Sequence, residues 1–132
     1  MTDRELVDKA LSMLLRAYVP YSNYPVGAAI LCSDGSVFTG CNVENAAYGG
    51  SICAERTAAV KAVSEGHQDF EKIAVCCNTP DYGSPCGACR QFLYEFNPDM
   101  TVLCARHDGD FISCKLHELL ARGFGPKDLK QI

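Results

Sequence analysis

No apolar run in this chain approaches the ~18 residues of a membrane span. The opening residues, Met1-Thr2-Asp3-Arg4-Glu5, are polar and run into an amphipathic segment, without the apolar core of a signal peptide. No internal repeat, low-complexity tract or linker interrupts the 132 residues, so a single domain over 1–132 is expected. A basic excess is also missing: 12 Lys and Arg stand against 16 Asp and Glu, for a formal charge of −4. That mild acidity argues against a protein that grips phosphate backbones, so no nucleic-acid partner is expected. Histidine is scarce. His67, His107 and His117 lack motif spacing to the cysteines and read as surface or structural residues.

Cysteine, in contrast, is abundant. There are nine, an odd number that cannot all pair within one chain. Without an export signal, a reducing cytoplasmic location is expected, where cysteine clusters suggest metal or catalysis more than disulfides. Apolar residues at 48% and charged residues at 21% fit an ordinary globular domain.

Apolar spacing predicts a helix over 3–17, with Asp3 as a candidate cap. The two prolines of 18–25 mark a loop. Residues 26–32 and 37–41 flank Ser33-Asp34-Gly35-Ser36 and read as a hairpin. A helix fits 53–65, ended by Gly66, and a buried strand fits 73–77. A second helix fits 87–96, stopped by Asn97-Pro98. Strands at 101–106 and 111–114 and a short helix at 116–121 complete the pattern. Helices interleaved with apolar strands imply an α/β fold, one mixed sheet covered by helices.

Three cysteines stand apart by position. Cys53 opens one predicted helix, and Cys86 and Cys89 open the next. The Cys-x-x-Cys pair falls at i, i+3, so both sulfurs can face one way. A third thiolate would leave one position of a tetrahedral zinc site open, which marks a catalytic rather than a structural site. Helix N-termini favour thiolate over thiol. Three thiolates and Zn²⁺ sum to −1, which works against an acidic bound water; Arg56 and Arg90 could offset this charge. Glu55 lies two residues past Cys53, suited to move protons beside the open position. Its spacing does not place it there, because i and i+2 do not share a helix face. The whole pattern is Cys-Ala-Glu, 29 residues, then Pro-Cys-x-x-Cys. It matches the signature of zinc-dependent nucleobase deaminases, in which the Glu is acid and base and not a ligand.

These residues, taken with others, resemble the cytidine deaminases of the short, homotetrameric type. The resemblance runs nearly end to end. It includes Tyr21-Ser22, Val26-Gly27-Ala28-Ala29, Gly40-Cys41-Asn42-Val43-Glu44-Asn45-Ala46, Cys53-Ala54-Glu55-Arg56-Thr57-Ala58 and Ser84-Pro85-Cys86-Gly87-Ala88-Cys89-Arg90-Gln91. It implies a three-layer α/β/α sandwich around a mixed five-stranded sheet. It also implies one zinc per subunit on Cys53, Cys86 and Cys89, with Glu55 as proton shuttle. Asn42 and Glu44 would hold the ribose hydroxyls, and the backbone around Ala54 would read the pyrimidine edge. Tyr24 takes the place of an aromatic that packs on the base, where phenylalanine is more usual. Phe124 matches a residue that reaches a neighbouring subunit's site, and Tyr48 would lie near a subunit interface. The first zinc ligand is cysteine, where longer dimeric relatives use histidine.

The expected activity is hydrolytic deamination of cytidine and 2′-deoxycytidine to uridine and 2′-deoxyuridine, releasing ammonia, a step of pyrimidine salvage. Rivals are a deaminase of another aminopyrimidine nucleoside, a non-catalytic zinc-binding interaction module closed by a fourth ligand such as Cys76 or Cys77, and a dithiol oxidoreductase. The remaining cysteines, Cys32, Cys41, Cys76, Cys77, Cys104 and Cys114, fall in or at the ends of predicted strands and read as small core residues.

Overall fold

The computed structural model describes residues 1–129. Helix α1 (Asp3–Ser12) continues as a 3₁₀ turn over Met13–Arg16, so the expected 3–17 segment is helical in two pieces. Its cap is Thr2, not Asp3. Thr2 and Glu5 form a reciprocal capping box, the Thr2 Oγ1 accepting from the Glu5 N–H at 3.1 Å and Glu5 Oε1 accepting from the Thr2 N–H at 2.8 Å. Thr-x-x-Glu satisfies two orphan donors at once, which a lone Asp3 would not.

Strands β1 (Val26–Cys32) and β2 (Val37–Cys41) form the expected hairpin. Helix α2 (Ala54–Ser64) leads to β3 (Phe70–Cys77), and α3 (Gly87–Tyr94) to β4 (Thr101–Ala105). β5 (Phe111–Lys115), α4 (Leu116–Leu119) and a short α5 (Pro126–Leu129) complete the described chain. β3 begins three residues before its expected start, because Phe70 is pulled into the core. Sequence reasoning left α5 unassigned.

The sheet order is β2-β1-β3-β4-β5. Only β3 and β4 are parallel, joined by the crossover through α3. Alternation along the strands sorts the core into two layers. Ala29, Ala74, Cys76, Leu103 and Ala105 face Leu6, Val7 and Ala10 of α1. Ala28, Ile30, Ile73, Val75, Val102 and Cys104 face the alanines of α2 and Leu93 of α3. The result is the expected α/β/α sandwich. Gly40 sets how closely α2 sits on β2, since a Cβ there would overlap the Ala54 carbonyl oxygen and the Ala58 N. Among the described residues, no helix is long and apolar enough to cross a membrane.

Candidate metal and catalytic site

Two helix N-termini meet at one point. Cys53 is the N-cap of α2 and Cys86 the N-cap of α3, both extended in backbone. Cys89 follows one turn later and is fully buried. The Cys53 and Cys86 Sγ atoms are 3.8 Å apart, and those of Cys86 and Cys89 are 3.5 Å apart. Tetrahedral zinc about 2.3 Å from each sulfur would hold its sulfurs about 3.8 Å apart, so the trio fits that ion. Among the described residues, this is the one cluster of three or more potential ligands, and it holds only these three cysteines.

One of the two arginines considered above reaches the trio. Arg56 Nη2 lies 3.5 Å from the Cys53 Sγ. Hydrogen bonding from the Cys89 thiol, with that from Arg56 and Cys86, outweighs burial and brings the Cys53 thiol down to about 5. Cys89 moves the opposite way, upward, through its hydrogen bond to Cys53 and its burial. Arg90 does not serve the sulfurs. Its guanidinium donates to the Pro85 carbonyl at 2.7 Å, the Leu119 carbonyl at 2.8 Å and the Ser84 hydroxyl at 3.1 Å. Backbone acceptors around the loop capture a planar fork more fully than a single sulfur would.

Glu55 is the only buried charged residue among those described, 3% exposed. Burial pushes its carboxyl up to about 7, and the Cys53 charge adds to this. It lines a cleft of about 180 Å³ with Tyr24, Val26, Asn42, Cys53, Ala54, Ser84 and Cys86. The i, i+2 objection fails because Cys53 is a cap. Its extended backbone turns the side chain off the helical path, so Cys53 and Glu55 share a wall although helical geometry separates them.

The expected substrate residues divide. Tyr24, Asn42 and Ala54 share the cleft with Glu55. Asn42 also ties the loop to the sheet, its Oδ1 accepting from the Val26 N–H at 2.9 Å and its Nδ2 donating to the Tyr24 carbonyl at 2.9 Å. Glu44 lines a separate cleft of about 300 Å³ with Tyr21, Ser22, Tyr48 and Ser51. Its Oε1 accepts from the Tyr21 and Ser22 N–H groups at 3.0 and 3.1 Å. Phe124 is 55% exposed and lines neither cleft; Gln91 Nε2 donates to its carbonyl at 2.8 Å. Tyr48 is more exposed still and meets Tyr21 edge to face, with ring centroids 5.9 Å apart. Ser84 was part of the motif but unassigned; its place beside Cys86 in the cleft was the available signal.

All nine cysteines are free. Cys32, Cys76, Cys77 and Cys104 are buried as expected, but Cys41 and Cys114 are only half-buried. Each lies in an edge strand, β2 or β5, where one side of the sheet has no neighbour to cover it. His67 packs on Phe38 and approaches Asp34 at 3.3 Å, and His117 lies 3.9 Å from Asp99, both away from the trio.

Residues 1–105 match the family model described as "Cytidine and deoxycytidylate deaminase zinc-binding region". A cytidine deaminase of Sporosarcina psychrophila is 45% identical over 130 residues, covering 98% of this chain and 96% of the relative. One of Halalkalibacterium halodurans is 46% identical over 129 residues, covering 96% and 98%. The crystal structure of cytidine deaminase from Burkholderia pseudomallei superposes with a TM-score of 0.90 at 43% identity, covering 94% of this chain and all of that one. With the two-helix cysteine trio and the buried glutamate at its side, the chain belongs to the cytidine and deoxycytidylate deaminase zinc-binding family.

Proposed function

We propose that this chain is a zinc-dependent cytidine deaminase, a hydrolase that converts cytidine and 2′-deoxycytidine to the corresponding uridines and ammonia. The observation that carries this reading is a buried carboxylate, Glu55, in the same cleft as the sulfurs of Cys53 and Cys86. Cys53, Cys86 and Cys89 would hold the zinc, whose chemistry there is to make a water acidic and nucleophilic.

The other parts of the reaction fall to the chain's own groups. Glu55, with its pKa raised by burial, is suited both to accept and to donate a proton near neutral pH. It takes a proton from the attacking water and delivers it to N3 of the base as oxygen adds to C4. It then carries a proton to the amine, which leaves as ammonia while the C4 carbonyl forms. The burial of Glu55, 3% exposed, keeps its end of these transfers out of bulk water. Tyr24 and the Ala54 backbone line the place for the base. Asn42 retains one N–H and one lone pair for a ribose hydroxyl. Glu44 would hold another ribose hydroxyl from the adjoining cleft.

A closed structural zinc site has no support in the neighbouring thiols. Cys76 Sγ donates to the Gly27 carbonyl at 3.6 Å, and Cys77 Sγ to the Asp81 carbonyl at 3.4 Å. We further propose a homotetramer acting in cytoplasmic pyrimidine salvage, in which exposed Phe124 and Tyr48 meet neighbouring subunits. The deciding experiment is loss of cytidine's ultraviolet absorbance, with and without a chelator. Turnover that the chelator abolishes and zinc restores is expected; zinc-loaded protein that leaves cytidine unchanged would refute the reading.

A further inference from the structure

The segment between β3 and α3 has no regular secondary structure, yet it supplies a wall of the cleft, Ser84, and a candidate zinc ligand, Cys86. Side chains and packing must set its position. One end is set at Gly83. Its N–H donates to the Ala105 carbonyl of β4 at 2.8 Å, and a Cβ there would lie 3.0 Å from the Cys76 Cα and 3.1 Å from the Val75 carbonyl oxygen of β3. Pro85 follows two residues later, fully buried and without an N–H, so a hydrogen bond can hold its backbone only at the carbonyl. Arg90 makes that bond. Its Nε donates to the Pro85 carbonyl at 2.7 Å, its Nη2 to the Ser84 Oγ at 3.1 Å and its Nη1 to the Leu119 carbonyl at 2.8 Å. Leu119 lies in the last turn of α4, where the helix provides no N–H for its carbonyl. The guanidinium is planar and rigid, so three acceptors from two segments are fixed relative to one another.

We propose that Arg90 is a positioning residue for the reaction: by fastening Ser84 and Pro85 to α4, it sets where the Cys86 sulfur and the Ser84 wall stand relative to Glu55. This rests on the deaminase reading of the cleft. The two sides of the cleft come from different helices. Cys53 and Glu55 ride on α2, which is seated against β2 at Gly40. Cys86 caps α3, and the irregular segment that ends in it carries Ser84. A displacement of about 1 Å between groups that must meet a reacting atom together costs about 10²-fold in rate. Arg90 does not line the cleft, so it acts only through the residues it holds. A lysine offers a point donor on a flexible stem and cannot hold all three acceptors as a fork does.

The test compares wild type with Arg90→Lys, Arg90→Ala, Ser84→Ala and the Ser84→Ala/Arg90→Ala double variant, loaded with zinc for assay and with cobalt(II) for absorption spectra. Arg90→Ala should keep stoichiometric metal and lower kcat for cytidine about 10- to 100-fold, with KM changed less than about threefold. Arg90→Lys should recover part of the lost kcat. Because one bond of the fork ends on the Ser84 hydroxyl, the two losses should combine less than multiplicatively in the double variant. The sulfur-to-cobalt charge-transfer bands should shift in Arg90→Ala, and amide exchange over 83–86 should quicken in the chelated protein while exchange over α2 stays as in wild type. A lowered thermal midpoint with wild-type kcat, a rise in KM alone, fully multiplicative losses or an unshifted cobalt spectrum would overturn the proposal. Should Arg90→Ala not fold, Arg90→Lys carries the same readings with a smaller kcat loss, and wild-type kcat in it refutes the role. If the wild type does not turn over cytidine, the deaminase reading fails by itself, and the cobalt spectra and amide exchange decide whether Arg90 holds the Cys86 segment.

Discussion

The Sγ atoms of Cys53 and Cys86 lie 3.8 Å apart although 32 residues separate them in the chain. Each caps a different helix, and the two caps converge because α2 and α3 pack on the same face of the sheet. A cap has extended backbone, so its side chain can turn toward another element without breaking the helix that follows.

Removing one sulfur should remove the metal. Cys86→Ser is expected to lose stoichiometric zinc by metal analysis while keeping the wild-type far-ultraviolet circular dichroism. In the intact protein, chelation should make Cys53 and Cys86 reactive toward iodoacetamide by peptide mass spectrometry, while Cys89, fully buried, should stay slow. Half-buried Cys41 and Cys114 should react at an intermediate rate with or without zinc. Cys76 and Cys104, whose thiols burial pushes up to about 12 and about 11, should stay slow until unfolding. Equal rates at all nine would contradict the assignment.

Glu55→Gln tests proton transfer apart from metal binding. Zinc content should be unchanged, while kcat for cytidine falls about 10²- to 10⁴-fold or more. The thermal midpoint should hold or rise, because an amide replaces a carboxylate that is 3% exposed. Retained turnover would remove Glu55 from the mechanism.

Gly40→Ala places a methyl group against the Ala54 carbonyl oxygen and the Ala58 N, both backbone atoms of α2. Relief requires the helix to move away from β2. A cost of about 1–3 kcal/mol in chemical unfolding is expected. The helix carries Cys53 at its cap and Glu55 in its first turn, so zinc affinity measured by chelator competition should weaken as well.

Glu44 gives the loop at Tyr21 and Ser22 a pH dependence. The Ser22 hydroxyl, with the N–H groups of Ser22 and Tyr21, holds its carboxyl below the ordinary value of 4.5 against the opposing effect of desolvation. A carboxylate lowered on folding stabilises above its unfolded pKa, and that contribution disappears as pH falls through the folded one. Thermal melts between pH 6 and 3, at roughly half-unit steps across the acid range of carboxylates, should fall further for wild type below about pH 4.5 than for Glu44→Gln. Parallel curves would show that the anchor contributes nothing.

Much was legible in the chain because local physics sufficed. The hairpin over 26–41 follows from two apolar runs around a Ser-Asp-Gly-Ser turn, and the α/β class from the order of periods. Cys53, Cys86 and Cys89 carried their own spacing. Thr2 was missed as a cap because its partner, Glu5, acts only as half of a reciprocal pair.

Arg56 and Arg90 mark where sequence reasoning ended. Each directly follows a motif residue, Glu55 or Cys89, and composition could not tell them apart. The fold decided: Arg56 reaches the Cys53 sulfur, while the guanidinium of Arg90 is drawn to the carbonyls of Pro85 and Leu119. Cys41 and Cys114 could not be told from Cys104, because edge and central strands share the same apolar alternation; only the order of the sheet leaves β2 and β5 half covered. The local pattern determined the elements and the ligand chemistry. The tertiary structure alone decided which charges, clefts and aromatic rings those ligands face, because such contacts depend on packing between segments distant in the chain.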